Sequence, residues 1–336
     1  MQLQLQTFDL PLTHSFRISR ETTDIQETLV ASLSIDGKTG YGEATTNPYY
    51  KSSAAGMTAE IEALREAIES FPFTSPEVFH QFLAAKGLGN FALCALDLAA
   101  HDLYGKVLGK PLYEIWGTKP DTYPTTNYTI GIDSIERMLA KMQEMPWPVY
   151  KIKLGTEEDV AIVRELRKHT DAVFRIDANG AWNARETIEN SRILKTLGVE
   201  FIEQPLPAAD WEGMEQVFQD SALPLIADES CVVETDVARC QRYFHGINIK
   251  LCKCGGLTPA LRMIQNARKL GLKVMVGCMT ESTVGISAVA QLLPQLDYVD
   301  MDGAMLLARD IADGVVITRD ARVLFPSSGG SGIRLR

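Results

Sequence analysis

The feature that most constrains the fold is a repeat of short apolar runs, each separated from the next by a stretch with helical periodicity. Short apolar runs that alternate with helical stretches are typical of βα units. The sequence therefore predicts an α/β protein whose parallel strands close into a (β/α) barrel, a fold of roughly 200–250 residues. Eight strand candidates follow one another from about Tyr123 onward: TTNYTI, PVYKIKL, AVFRID, VEFIEQ, PLIAD, GINIKLC, KVMVGCM and LDYVDM. Eight βα units are predicted.

The rest of the chain predicts a smaller α+β domain. Residues 1–45 alternate like strands around an Asp36-Gly37 turn, and the segment from about Thr58 to Ile115 has a helical pattern. Gly and Pro cluster at residues 118–122, as is typical of a boundary. We therefore predict an α+β domain over residues 1–120 and a barrel over residues 121–310. The tail, residues 311–336, has strand character, and we expect it to return to the first domain.

Charge and hydropathy argue against several classes of partner. The formal net charge of -10 argues against nucleic acid and anionic membranes, although it does not exclude an anionic substrate. No apolar stretch approaches the roughly 20 residues of a membrane span. The first residues lack the pattern of a secretory signal, so we expect a cytoplasmic protein. The six cysteines form no disulfide framework and are expected to be reduced.

Three carboxylates stand at the ends of consecutive predicted strands. Asp177, Glu203 and Asp228 recur at intervals of about 25 residues. Because a barrel builds its active site where its strands end, these side chains are expected to meet. An isolated acid in such a place is more often a helix cap or a salt-bridge partner. Three inward acids must instead be paired or bind a metal. Oxygen ligands suit a hard divalent cation, so the sequence predicts Mg²⁺.

Lysines flank these acids on both sides. Lys151 and Lys153 share one face of an earlier strand, and Lys250 points inward from a later one. Lys253 has the opposite parity and lies beyond its strand, so Lys250 is the preferred partner. A lysine beside another cation has a lowered pKa and can act as a base.

A cation that stabilises an enolate, with lysines on both faces, predicts proton abstraction beside a carboxylate. Return of a proton from the opposite face would invert the carbon. A substrate with a β leaving group would undergo elimination at the same site.

The ordered motifs resemble the enolase superfamily, muconate-lactonizing subgroup. The resemblance rests on Lys151-Ile-Lys153, Asp177-Ala-Asn179, Glu203-Gln-Pro205, Asp228-Glu229-Ser230, Asn248-Ile-Lys250 with Gly255-Gly256, and the helix at residues 95–117. It implies a modified (β/α) barrel with an N-terminal α+β capping domain that the C-terminal tail completes. It also implies that Asp177, Glu203 and Asp228 bind Mg²⁺ and that Lys153 and Lys250 are the two acid/bases. Lys151 would contact the substrate carboxylate, and Asn179 and Glu229 would support the site from behind its direct ligands.

Asp300-Met301-Asp302, at the end of the eighth predicted strand, resembles the paired acids that hold the ammonium group in dipeptide epimerases. The alternative is a pair of solvated loop acids. The resemblance implies an L-Ala-D/L-Glu epimerase or a related enzyme and makes residues 16–23 and 45–52 lid segments. Arg20 could hold a glutamate side chain or be a solvated loop residue, while Met279 and Thr280 are expected to line the pocket. The sequence leaves the oligomeric state open, although barrels with such a capping domain often self-associate into homo-oligomers.

Four other functions compete with this interpretation of the sequence. Sugar-acid dehydratases of the superfamily need a His near the end of the seventh strand, and none of the five histidines lies there. N-acylamino-acid racemase and o-succinylbenzoate synthase would use the lysines but leave the Asp300–Asp302 pair without a role. A metal-stabilised binding protein without catalytic activity would tolerate loss of both lysines.

Overall fold

The computed structural model describes all 336 residues and contains an eight-stranded parallel sheet. Neighbours in the sheet follow chain order from one end to the other. A parallel bridge between Thr126 and Val299 connects the two ends, so the sheet is nearly a closed barrel. All eight predicted strands are confirmed: β4 (Tyr128–Ile130), β5 (Val149–Lys153), β6 (Val173–Asp177), β7 (Val199–Glu203), β8 (Leu225–Ala227), β9 (Gly246–Ile249), β10 (Lys273–Gly277) and β11 (Tyr298–Asp300).

Helices occupy the seven intervals between these strands. Their bounds are α6 (Ile135–Glu144), α7 (Asp159–Arg167), α8 (Ala184–Thr196), α9 (Trp211–Asp220), α10 (Val237–Cys240), α11 (Leu251–Cys254), α12 (Leu257–Lys269) and α13 (Thr283–Leu292), with short 3-10 turns at Glu234–Asp236 and Leu293–Gln295. Asn183 caps α8, because its side chain accepts a hydrogen bond from the backbone N–H of Glu186.

The eighth βα unit has its predicted strand but lacks the predicted helix. Only a 3-10 turn, Gly303–Leu306, follows β11. The chain then leaves the barrel for the first domain, where Leu307 bridges Leu12 and the N–H of Ala308 donates to Pro11 O at 2.8 Å. This departure leaves no chain to form a helix on that strand.

The N-terminal domain packs an antiparallel sheet on a buried helix. The strands are β1 (Gln2–Arg17), β2 (Thr22–Ile35) and β3 (Lys38–Thr45), and the helices are α1 (Ala54–Glu62), α2 (Arg65–Glu69), α3 (Pro76–Ala85), α4 (Asn90–Leu108) and α5 (Leu112–Ile115). The predicted turn is confirmed, with Asp36 and Gly37 at φ of 49° and 76°. A Cβ on Gly40 would stand 2.2 Å from Ala99 O, so only glycine lets β3 approach α4 this closely.

The tail packs against the first domain, as expected. It contains the short strands β12 (Ala312–Asp313), β13 (Val316–Ile317), β14 (Val323–Leu324) and β15 (Arg334–Leu335). The N–H of Ser331 donates to Asp102 Oδ1 at 2.9 Å, and Lys106 Nζ donates to Ile333 O at 2.9 Å. These bonds support the predicted grouping of residues 1–120 with 311–336, and the boundary at residues 118–122 stays a prediction.

One hydrophobic core joins the two domains. A single cluster of 74 buried residues includes side chains of α4 and of the barrel strands and helices, so the first domain is fixed over the barrel. All six cysteines are free thiols. None of the helices is both long enough and apolar enough to span a membrane.

Candidate active site

The three predicted carboxylates converge at one end of the barrel. Asp177 and Glu203 end β6 and β7 and are register partners, and Asp228 directly follows β8. Each is 0–1% exposed, and one oxygen of each lies within 4.8 Å of the others. Asn248 fixes Glu203 by donating from Nδ2 to Oε1 at 2.8 Å. Three buried acids at this separation are a donor set that fits a hard divalent cation.

The neighbouring charges give the three acids different pKa values. Burial and the Asp177 carboxylate raise the pKa of Glu203 to about 7. Burial also disfavours ionised Asp177, but the ammonium groups of Lys153 and Lys151 outweigh it and lower that pKa to about 2. Lys250 and Lys253 likewise outweigh burial and hold the pKa of Asp228 well below its usual range. Two of the three acids are therefore kept ionised by lysines.

Lys153 and Lys250 approach the acid cluster from opposite sides. Their strands, β5 and β9, are four positions apart in an eight-stranded near-barrel, which places them across its interior. Lys153 Nζ lies 2.6 Å from Asp177 Oδ2, and Lys250 Nζ lies 2.7 Å from Asp228 Oδ2. The predicted arrangement of two amines around the carboxylates is thus present.

Lys151 lies at the centre of the charged network and is 1% exposed. Its Nζ contacts Glu203 Oε2 and Asp300 Oδ2, each at 2.8 Å, and Asp177 Oδ2 at 3.1 Å. Glu203 Oε2 accepts no hydrogen bond, so the Lys151 ammonium group is its charged neighbour in the absence of a metal ion.

The carboxylates around Lys151 and Lys250 raise the pKa values of these two lysines, and the expected lowering beside a bound cation stays a prediction. Burial favours the neutral amine, but Asp300 and Glu203 raise the pKa of Lys151 well above its usual value. At Lys250, Asp228 outweighs burial and Lys151 and likewise raises the pKa. A neutral base therefore requires that a cation engage these carboxylates, because their charge otherwise holds the proton on the amine.

A cavity opens above these groups. It brings together all ten of the other predicted site residues: Arg20, Lys151, Lys153, Asn179, Glu229, Lys250, Met279, Thr280, Asp300 and Asp302. The predicted lid segments also contribute, through side chains that include Phe16 and Asn47. The Asn47 amide lies 3.9 Å from Met279 Sδ and so connects one lid segment with the end of β10.

The Asp300–Asp302 pair is buried, so the alternative of solvated loop acids is wrong. The two acids differ in their partners within the protein. Asp300 accepts from Lys151 Nζ and, at 2.8 Å, from Asn127 Nδ2, and Lys151 keeps its pKa below the usual range despite burial. Asp302 is 2% exposed and accepts from the N–H of Thr129 at 2.5 Å, but it makes no ion pair. Burial and Asp300 raise the pKa of Asp302 well above its usual value, which marks it as the acid that a cationic group would stabilise.

Arg20 lies in the loop after β1 and is held by three contacts, although its side chain is 33% exposed. Its Nη2 lies 2.7 Å from Glu229 Oε1, its Nη1 donates to Asn179 O at 3.0 Å, and its guanidinium lies 4.3 Å from the Tyr49 ring centroid. Both predicted supporting residues, Asn179 and Glu229, therefore contact Arg20 as well as bordering the acid cluster.

Sequence reasoning missed the role of Lys253. Its Nζ is fully buried and contacts Asp228 Oδ1 at 2.6 Å, Asp228 O at 2.5 Å, Cys231 O at 3.0 Å and Asn248 O at 3.2 Å. The strand-parity argument correctly separated it from Lys250, but α11 turns the side chain back beneath Asp228. The nearest sequence signal was a lysine between two buried cysteines.

Comparison with known proteins agrees with this geometry. The family described as "Enolase C-terminal domain-like" matches residues 133–336, and "Mandelate racemase / muconate lactonizing enzyme, N-terminal domain" matches residues 3–117. An L-Ala-D/L-amino acid epimerase of Maribacter sp. (strain HTCC2170) is 68% identical over 335 residues, covering 100% of this chain and 99% of the relative. One of Flavobacterium johnsoniae is 57% identical over 339 residues, with 100% of both chains covered.

A solved structure extends the likeness to the fold. A dipeptide epimerase from Enterococcus faecalis V583, complexed with Mg and the dipeptide L-Leu-L-Tyr, superimposes with a TM-score of 0.92 at 29% identity. The alignment covers 99% of this chain and 98% of that one. The chain therefore belongs to the enolase superfamily, in the family of mandelate racemase and muconate lactonizing enzyme.

Proposed function

We propose that this chain is a Mg²⁺-dependent dipeptide epimerase that inverts an α-carbon with two lysines. The observation that carries the proposal is the position of Lys153 and Lys250, which face one cavity from opposite strands of the barrel across a cluster of three buried acids. The relatives named L-Ala-D/L-amino acid epimerase, and the neighbour holding Mg and a dipeptide, support the same activity.

Asp177, Glu203 and Asp228 would hold the ion. When bound there, Mg²⁺ neutralises the substrate carboxylate and stabilises the negative charge that develops as the α-proton leaves. The lysines flanking these acids would then be free of part of the carboxylate charge that raises their pKa values. Chelation of the metal should therefore abolish activity.

Lys153 and Lys250 would act in turn as base and acid. One amine removes the α-proton from its side and leaves an enolate. The other ammonium returns a proton to the opposite side, which inverts the centre. Lys151, already between Glu203 and Asp300, would contact the substrate carboxylate and help to hold the α-carbon between the two amines.

Asp302 would bind the α-ammonium group of the dipeptide, with Asp300 beside it. Both acids line the cavity, and Asp302 has no ion-pair partner within the protein. This observation favours a dipeptide over an N-acylamino acid or succinylbenzoate, since those substrates carry no ammonium group. L-Ala-D/L-Glu and other dipeptides with N-terminal Ala are the substrates to test first.

Other parts of the proposal come from the sequence. We place the enzyme in the cytoplasm, without nucleic acid or membrane partners and as a homo-oligomer, and the acidic net charge supports the exclusion of nucleic acid.

The test uses L-Ala dipeptides in deuterated water. Wild type should epimerise them and incorporate deuterium at one α-carbon. Lys153→Ala and Lys250→Ala should each lose epimerisation, because one face then lacks a proton donor or acceptor. Each variant should still exchange the α-proton of the epimer that faces its remaining lysine. Normal turnover by both single variants would refute the two-lysine mechanism.

A further inference from the structure

We infer that the residue being epimerised carries an uncharged side chain, because the cation available to an acidic one is already neutralised within the site. This inference rests on the proposed dipeptide epimerase function. It differs from the sequence-based expectation, in which Arg20 is free to bind a glutamate side chain.

The cations that line the cavity divide into two sets. Lys151, Lys153 and Lys250 contact the acid cluster and surround the position of the α-carbon and its carboxylate. Arg20 is the remaining lining cation, and it comes from the lid segment at residues 16–23. Only Arg20 could therefore recognise an acidic side chain directed toward that lid.

Glu229 holds this guanidinium from inside. The Glu229 side chain is 3% exposed and the Arg20 side chain is 33% exposed, and their Nη2–Oε1 distance is 2.7 Å. Arg20 Nη1 is engaged by the backbone oxygen of Asn179, and Tyr49 lies against the guanidinium. Glu229 Oε2 is buried and accepts no hydrogen bond, so this carboxylate depends on Arg20 for its counter-charge.

A substrate carboxylate at this place would meet two obstacles. If it displaced Glu229, that carboxylate would stay buried without its counter-charge, which is costly. If it shared Arg20 with Glu229, two like charges would lie on one guanidinium, and Glu21 on the same wall would add to the repulsion. An amide, hydroxyl, thioether or hydrocarbon side chain meets neither obstacle.

The rest of the lid wall suits such side chains. Phe16, Ile18 and Tyr50 offer apolar surface, and Gln26 offers an amide. The geometry thus assigns Glu229 as a specificity-determining residue that acts by neutralising Arg20.

The decisive probe is a pair of isosteric substrates, L-Ala-L-Gln and L-Ala-L-Glu, which differ in one charge. Wild type should have a kcat/KM at least tenfold higher for L-Ala-L-Gln. Glu229→Gln removes the internal counter-charge and should shift this ratio toward L-Ala-L-Glu by tenfold or more. Any general damage near Asp228 affects both substrates and cancels in the ratio.

Two further variants test whether the charge of Arg20 causes the shift in substrate preference. Glu21→Gln removes an acid from the same wall without touching the Arg20 ion pair, and it should shift the ratio less than threefold. Adding Arg20→Gln to Glu229→Gln should reverse the shift, since the exposed cation is then gone.

Different results would refute the uncharged-side-chain inference and the epimerase function. A wild-type preference for L-Ala-L-Glu, or an equal shift from Glu21→Gln, would overturn the inference and leave the epimerase function standing. Absence of epimerisation and of deuterium exchange with every L-Ala dipeptide would instead overturn the function.

Discussion

Replacing Lys253 by methionine should destabilise the protein and weaken its metal site together. Methionine keeps most of the side-chain length but removes the ammonium group, which has four oxygen atoms within 3.2 Å. Asp228 Oδ1 and the carbonyl groups of Asp228, Cys231 and Asn248 then lose a donor in a fully buried place. Removing one partner of a buried ion pair costs about 3–5 kcal/mol.

The magnitude translates into a measurable melting shift. Unfolding entropy of about 2.1 cal/mol/K per residue gives roughly 0.7 kcal/mol/K for this chain, so Tm should fall by roughly 4–7 °C. Lys250 still contacts Asp228 Oδ2, which favours the lower half of that range. Loss of a group that orients a metal ligand should also weaken Mg²⁺ binding by about 10–100-fold.

The assay is calorimetric. Thermal unfolding of the metal-free protein gives the Tm, and titration calorimetry with Mg²⁺ gives the affinity. Lys269→Met is the matched control, since Lys269 is exposed and makes no ion pair, and its stability should change by less than about 0.5 kcal/mol. A Lys253→Met protein with wild-type Tm and Mg²⁺ affinity would show that the buried ammonium group does not support Asp228.

Two further predictions concern other parts of the molecule. Asp302→Asn should lower kcat/KM for L-Ala-L-Gln by about 10–150-fold, as expected for loss of a charge-assisted bond of about 1.5–3 kcal/mol, and should spare N-acetyl-L-Gln. Equal losses on both substrates would contradict the ammonium-binding role. Burial, together with the charge of Arg262, lowers the pKa of His80 to about 4, below the value of about 6.5 in the unfolded chain. The folded state therefore gains stability from neutral His80 above pH 6.5, and this stability is lost as the pH falls from about 6.5 to 4. Urea unfolding at pH 7 and pH 5 should show wild type losing about 1–2 kcal/mol more than His80→Gln over that interval, and equal losses would refute the assignment.

Strand alternation was enough to predict much of the site. It placed Lys151, Lys153 and Asp177 on the inner faces of β5 and β6, and the structure buries all three beneath one cavity. Side chains alternate between the two faces of a strand. Because the apolar Ile152 and Ile176 must face the helices, the residues next to them in sequence must point into the barrel. Side chains within strands were therefore predictable from local sequence.

The contacts of residues outside the strands could not be predicted from local sequence. The partner of Arg20 is 209 residues away on another loop, and no local pattern encodes such a choice. Thr258 followed by Pro259 has the pattern of a helix N-cap, but Gly256 occupies that position in α12 and Thr258 instead bonds to Asp97 of the first domain. Lys253 returns to Asp228 because α11 reverses the chain. In each case a tertiary partner outweighed the local preference.

The hydrogen bonds between the tail and α4 also bear on the order in which the chain can fold. The Asp102 carboxylate accepts from the N–H of Ser331, which lies 229 residues later in the chain. Until that later segment has been synthesised, the buried acid and the backbone of Gly105, which faces Gly330, lack their native neighbours. The first domain therefore completes its packing only after all the barrel strands have been synthesised.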